Sequence, residues 1–393
     1  MTRTPDSVLL GQLRDEAQRR LPDLLADLEA IVNIESGSYT KAGVDEVVTW
    51  MADRLAGLGA SIARHPNDAL GDTVVATFER AADGPTVLLI GHADTVFDVG
   101  YLARRPFEID RDMILGPGVS DMKSGLLAGL YALEVLRRAG GADWLPVRRV
   151  IYIVNPDEEI GSPASRGLIA ELARGADAAF VMEAARANGD IVSARKGMMH
   201  LRATIKGRSA HAGVEPHKGR SATLEAAHKT VALHALNGHW PGVTVNVGEI
   251  RGGTRPNIVA EQAVLTVDMR AGTLAEQDEA EAAIRAILES STVPEVTTEV
   301  EKLADTGPME KTPESAALVE AAVAIAAELG FELADAATGG GSDANTTASL
   351  GVPSLDGLGP VGGNDHSPLE YVELSSIVPR TTLLAALVVA VGR

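Results

Sequence analysis

Strand-type and helix-type segments alternate through the first half of this chain, and that alternation limits the possible folds more than any other feature. The apolar runs Thr86–Ile90, Val150–Val154 and Ala178–Met182 read as buried strands, and Ser124–Leu136 and Ala164–Leu172 between them read as helices. Before them, Leu9, Leu10, Leu13, Leu21, Leu24, Leu28 and Ile31 stand near helical spacing, which predicts a helix over Ser7–Val32, and a second covers Gly43–Gly57. Such an alternation builds an α/β domain with a largely parallel sheet. Ligands of these sheets bind beyond the carboxyl ends of the strands, where the loops gather.

The texture changes near Lys196. A strand over Met198–Ile205, a helix over Ala222–Leu236, strands over Val243–Ile250 and Ile258–Met269, a helix over Leu274–Glu289 and a strand over Val296–Lys302 follow in order. This β-α-β-β-α-β series predicts a small α+β, ferredoxin-like domain with one helix-covered sheet. Helix, glycine-rich loop and strand return from about Pro313 onward. The 393 residues exceed what one hydrophobic core usually organises. The reading is therefore a discontinuous α/β domain over 1–195 and 309–393, interrupted by an inserted domain over 196–308.

Composition removes several classes of function. A formal charge of −19 repels phosphodiester backbones and anionic lipids, so neither nucleic acid nor a membrane surface is an expected partner. The chain has no cysteine, which excludes disulfides, thiolate metal sites and cysteine nucleophiles, and leaves His, Asp and Glu to hold any metal. The polar stretch Met1–Arg20 has no apolar core of signal-peptide length, and the run Leu383–Val391 is too short to span a bilayer. A cytoplasmic location is the expectation.

Polar residues collect where the strands end. Thr86–Ile90 runs into Gly91-His92-Ala93-Asp94, Val150–Val154 into Asn155-Pro156-Asp157-Glu158-Glu159, and Ala178–Met182 into Glu183. Each piece alone has a plain explanation. A lone histidine is usually an ordinary surface or core residue, and adjacent acids usually form a solvated face. Asp121, in Gly116-Pro117-Gly118-Val119-Ser120-Asp121-Met122-Lys123, sits just before a helix that it could cap. The conjunction is harder to dismiss, because carboxylates gathered at one sheet edge repel one another severely unless cations or shared protons relieve them. Metal is the simplest relief. Imidazole and carboxylate without thiolate suit zinc, and also cobalt or manganese. One aspartate can give an oxygen to each of two ions roughly 3.5–4 Å apart, which makes Asp121 the candidate bridge. The late loop Gly359-Pro360-Val361-Gly362-Gly363-Asn364-Asp365-His366 brings out a further histidine. The competing reading of the glycines is phosphate binding by an ATP- or NAD-dependent enzyme, against which Gly116-x-Gly118 lacks the third glycine of a dinucleotide fingerprint and Thr338-Gly339-Gly340-Gly341-Ser342-Asp343 lacks the lysine of a P-loop.

The segments GHADTVF (91–97), GPGVSDMKSG (116–125), PDEEIGS (156–162), ME (182–183), SAHAG (209–213), RPNIV (255–259), TGGGSDAN (338–345) and the final His366 stand in this order across nearly the whole chain. A sequence with this set resembles the aminoacylase and carboxypeptidase family of di-zinc amidohydrolases, which includes carboxypeptidase G, succinyl-diaminopimelate desuccinylase and several peptidases. The resemblance implies a phosphorylase/hydrolase-like catalytic domain of the zinc-exopeptidase type, with an inserted dimerisation or lid domain. It implies that His92, Asp121 and Glu183 bind one zinc ion and that Asp121, Glu159 and His366 bind the other, while Asp94 orients His92 from behind. Glu158 is then the general base and acid, taking a proton from the attacking water and returning it to the leaving nitrogen. His211 matches a family histidine on the inserted domain, and is expected to stabilise the oxyanion across a homodimer. Asn257 and Arg270 match positions that meet the substrate's carboxylate, and Gly341 is expected to approach the substrate through its backbone.

The implied activity is hydrolysis of the amide bond of a C-terminal or N-acylated amino acid, in the manner of carboxypeptidase G. A dipeptidase, an N-acyl-amino-acid deacylase or a desuccinylase is the alternative within that chemistry, and a catalytically silent binding protein the alternative outside it. An intact Glu158 and a full ligand set speak against silence. The basic residues with which carboxypeptidase G enzymes grip a glutamate side chain have no counterpart around Gly189-Asp190-Ile191 or Asp305-Thr306-Gly307, and the pair Arg195-Lys196 is similar to other members. A glutamate preference is therefore not part of the expectation.

Overall fold

The computed structural model describes residues 4–81 and 83–392, Ala142 by its backbone alone. The chain divides into two compact units: Met1–Ser193 with Lys311–Ala337 and Ser342–Arg393, and Ala194–Glu310 with Thr338–Gly341.

In the first unit the strand Thr86–His92 is buried along its whole length, as a continuous apolar run requires of a strand covered on both faces. It pairs in parallel with Arg149–Asn155 on one side and Ala178–Val181 on the other, and Ser354–Leu355 continues the parallel order beyond Ala178–Val181. Thr73–Glu79 and Ser61–His65 add an antiparallel ribbon next to Arg149–Asn155, which completes a six-stranded mixed sheet. The sequence pattern did not reveal the edge strand Ser61–His65, because every one of its residues is exposed and no apolar alternation marks it. Register sets His92 opposite Asn155 and Ile90 opposite Val181. The parallel strands therefore end at one level, and the residues that follow them leave from a common edge.

The helix Ser7–Val32 starts at Asp6, whose side chain accepts from the Leu9 amide at 2.9 Å. Its stripe of Leu10, Leu13, Leu24, Leu28 and Ile31 packs with the helices Ser124–Gly140 and Leu374–Val391. The last of these corrects the reading of the C-terminal apolar run. It begins nine residues before Leu383 and, with 18 residues and a mean hydropathy of 1.8, is long and apolar enough to cross a membrane, yet 78% of it is buried inside the unit. A separate four-stranded sheet of Gly362–Gly363, Tyr371–Glu373, Met113–Leu115 and Glu108–Asp110 ties the loop bearing His366 to the segment just before Asp121.

The second unit is an antiparallel sheet in the order Thr244–Gly252, Gln262–Ala271, Gly197–Lys206, Thr297–Thr306. Burial alternates residue by residue along Gln262–Ala271, and the inward set, with Leu201, Leu265 and Val267, packs with Leu233, Ile284 and Leu288 of the helices Ala222–His234 and Leu274–Glu289. The strand expected from Ile258 starts only at Gln262, since Ile258 pairs with His211 in an isolated bridge. Arg195 and Met309, near the two ends of the interrupting segment, exchange backbone hydrogen bonds of 3.0 Å in both directions.

Candidate metal centre

His92 closes the central strand and is buried. Its Nε2 lies 3.0 Å from Asp121 Oδ1 and 3.6 Å from Glu183 Oε1. The other oxygen of Asp121, Oδ2, lies 3.1 Å from His366 Nε2, which in turn lies 3.0 Å from Glu159 Oε2. One carboxylate thus faces two groups, His92 with Glu183 and His366 with Glu159. Asp121 does not cap the helix that follows. It stands in extended backbone (φ −114°, ψ 94°) with a cis peptide bond to Met122, and both of its oxygens face imidazoles.

The residues fit divalent ions. Donor atoms around a tetrahedral zinc with arms of about 2.0–2.1 Å stand about 3.3–3.4 Å apart, and the separations here run from 3.0 to 3.6 Å. Glu159 Oε1 is buried and has no hydrogen-bond partner among the described residues. The electrostatics of the cluster agree. Burial and then the Asp121 charge push Glu183 up to about 8. Burial and then Glu183 push Glu158 well above the usual carboxylate range. Burial pushes Asp121 the same way, but hydrogen bonds from His366 and His92 outweigh it and hold this carboxyl well below its ordinary value. His366 is raised to about 11 by its hydrogen bonds to Asp121 and then Glu159. The cluster relieves its own repulsion by keeping protons, the same relief that a cation provides.

Asp94 does more than orient His92. The His92 Nδ1 lies 3.0 Å from the Asp94 carbonyl oxygen and 3.3 Å from its Oδ1, so main chain and side chain hold the ring together. The same carboxylate accepts from Ser38 Oγ at 2.7 Å, from the Glu158 amide at 3.1 Å and from the Glu159 amide at 3.3 Å. It anchors both the first histidine and the turn that carries Glu158 and Glu159. Sequence reasoning missed this second task, for which the available signal was the short helical turn itself, whose leading amides need acceptors. Asp343 was also missed. It is buried, accepts from Ser162 Oγ at 2.7 Å and from Asn155 Nδ2, and is raised to about 6 by that burial. Glu370, buried below the Asp121 turn, had no signal at all, being a single acid in a loop.

In the second unit His211 and Asn257 lie on adjoining exposed loops, where the Ala212 amide donates to the Asn257 carbonyl at 3.0 Å and the Gly213 amide to His211 Nδ1 at 3.2 Å. Arg270 does not stand free: its Nε lies 3.2 and 3.1 Å from the two oxygens of Asp268, which His200 also contacts at 2.7 Å. Gly341 is exposed, at the end of the segment Thr338–Gly341. The fold therefore brings His92, Asp94, Asp121, Glu158, Glu159, Glu183 and His366 together in the first unit, whereas His211, Asn257, Arg270 and Gly341 belong to the second. A cavity of about 790 Å³ opens elsewhere in the first unit, at the amino ends of the strands, with Asp177 and Glu314 among its lining and no histidine.

Residues 88–390 match the model of peptidase family M20/M25/M40. The chain belongs to this family. It is 30% identical to carboxypeptidase G2 of Pseudomonas sp. (strain RS-16), with 98% of this chain and 92% of that protein covered. It is 29% identical to succinyl-diaminopimelate desuccinylase of Leptothrix cholodnii, over 90% of this chain and 95% of the relative. Among solved structures, aminopeptidase PepT from Bacillus cereus matches with a TM-score of 0.79 at 23% identity, covering 95% of this chain and 99% of the other. An M20 family metallo-carboxypeptidase from Sulfolobus solfataricus matches with a TM-score of 0.72 at 17% identity, over 94% and 99%. The mixed sheet and inserted antiparallel domain are thus the M20 fold, and the M20 chain is an enzyme, a metallo-amidohydrolase. Divalent metal binding follows from membership together with the cluster around His92.

Proposed function

We propose that this M20 enzyme hydrolyses the amide bond of a C-terminal or N-acylated amino acid, in the manner of carboxypeptidase G, with two divalent ions held at its acidic sheet edge. The observation that carries the reading is Asp121, whose two oxygens face His92 and His366 at 3.0 and 3.1 Å. His92, Asp121 and Glu183 hold one ion and Asp121, Glu159 and His366 the other, with zinc as the first choice and cobalt or manganese in its place. Ions held there supply Lewis-acid polarisation of the amide carbonyl and make water more acidic. Glu158 takes a proton from the attacking water and passes it to the leaving nitrogen. Asp94 holds His92 at Nδ1 and so keeps Nε2 turned to the cluster.

The remaining roles rest on the family match. His211 of the partner subunit donates to the developing oxyanion, Asn257 and Arg270 meet the substrate's carboxylate, and Gly341 approaches the substrate through its backbone. A homodimer through the inserted domain is part of the same proposal. It is supported by the edge strand Thr244–Gly252, exposed over most of its length, and by Leu224 and Val231 on the helix Ala222–His234, 51% and 74% exposed. An unpaired strand edge beside an apolar helix face is the kind of surface a second copy covers. A cytoplasmic location completes the reading.

A dipeptidase, deacylase or desuccinylase specificity is the second reading, favoured by the 29% identity to a succinyl-diaminopimelate desuccinylase over 90% of this chain. The test is release of free amino acid from a panel of N-acyl amino acids, succinylated amines and dipeptides, by chelator-treated protein with and without added zinc. Zinc-dependent release identifies the preferred class. No release from any member would favour a silent binding protein.

A further inference from the structure

We infer that Glu370 is a positioning residue for the metal centre: its carboxyl oxygens are the acceptors on which the turn carrying Asp121 is held. Glu370 is only 3% exposed. Its Oε1 accepts from the Ser120 amide at 2.8 Å and the Asp121 amide at 3.1 Å, and its Oε2 accepts from the Gly118 amide at 3.1 Å. Main-chain N–H groups that converge in this way form a nest for negative charge. Gly118 makes the convergence possible with a left-handed φ of 70°, a conformation that costs glycine nothing. Pairing of Tyr371 with Leu115 and of Val372 with Ile114 delivers the carboxylate to that place.

The arrangement joins both sides of the cluster. Glu370 fixes the peptide that carries Asp121, so it governs how that side chain divides its oxygens between His92 and His366. It also follows His366 by only four residues, so the loop bearing the second histidine and the turn bearing the bridge share one anchor. Lys123, 1% exposed, donates from its Nζ to the Ile34 carbonyl at 2.8 Å and so ties down the end of the same turn.

The inference rests on the two-ion reading above and is tested by metal affinity in the intact enzyme. In Glu370→Gln the amide oxygen keeps two of the three N–H groups, but the new NH₂ faces the Gly118 donor. Zinc affinity measured against a competing chelator should fall about 10–100-fold, the usual cost of removing a group that orients ligands. The visible spectrum of the cobalt-substituted protein should shift. Glu225→Gln is the control, since Glu225 is a buried carboxylate that accepts the Thr292 and Val293 amides in the second unit. It should lower the melting temperature of the metal-free protein and leave zinc affinity at the wild-type value. If Glu370→Gln does not accumulate folded, Glu370→Asp, which keeps the charge and withdraws it by one methylene, carries the same comparison. Wild-type affinity and an unshifted cobalt spectrum in the folded variant would overturn the inference. Failure of the wild-type protein to take up metal would instead remove the two-ion reading, and this inference with it.

Discussion

Replacing Asp94 with asparagine keeps the shape of the side chain and removes one acceptor together with the charge. The wild-type Oδ1 serves His92 Nδ1 and the Glu158 amide, and Oδ2 serves Ser38 Oγ and the Glu159 amide. An asparagine oxygen satisfies the first pair when it occupies the Oδ1 position, which puts NH₂ where Oδ2 was. The Ser38 hydroxyl can rotate to accept from it, but the Glu159 amide then meets a donor. A buried amide without an acceptor costs about 1–3 kcal/mol, and loss of charge from the remaining bonds adds a comparable amount, for a total of about 2–6 kcal/mol. Urea denaturation of the metal-free protein should show that loss of stability. Zinc titration should show affinity reduced about 10–100-fold, because the ring and the Glu159 turn both lose their support. An Asp94→Asn protein with the wild-type denaturation midpoint and wild-type zinc affinity would show that this carboxylate anchors neither element.

Glu158→Gln should keep its metal content and lose about 10²–10⁴-fold in turnover, since it removes proton transfer alone; wild-type turnover would assign the base to another residue. In chelator-treated protein, Glu183 and Asp343, raised to about 8 and about 6, hold protons more tightly folded than unfolded. The stability they contribute is complete below their unfolded values and lost as pH rises through about 6 and then about 8, so melting temperatures should fall from about pH 5 to about pH 9, and a flat or rising profile would contradict this. Mixing His211→Ala with Glu158→Gln subunits should restore activity if His211 acts across the dimer, because one site then keeps both residues. Independently demonstrated subunit exchange without recovery would refute the crossed site.

Much of the centre was legible because its parts follow segments whose ends are visible in the pattern. His92 and Glu183 come directly after buried apolar runs, and Glu158 and Glu159 come a few residues after another, so reading the strands located the side chains. The turn before Ser124 gave Asp121 two plausible tasks, and only the backbone around it removed capping. What stayed hidden was support supplied over long sequence distances. Asp94 reaches the Glu158 amide across 64 residues and Glu370 reaches the Asp121 amide across 249. No local periodicity encodes a hydrogen bond of that kind, because it depends on a register fixed only when the sheet assembles. The engagement of Arg270 by Asp268 was hidden for the opposite reason. The two are separated by one residue on a strand and share its face, but a charge pair so close in sequence looks like ordinary surface chemistry.

The paired backbone of Arg195 and Met309 has a consequence for inheritance. A segment that leaves and re-enters its host at two hydrogen-bonded neighbours can be removed, replaced or lengthened by a single event at one place, with a short connection bridging the gap. The seven clustered residues of the first unit lie outside that segment, so recombination there would exchange His211, Asn257 and Arg270 together and leave the acidic edge in its original chain. With the roles proposed above, such a lineage alters what it recognises by trading a cassette, while point mutation continues to act separately on the chemistry.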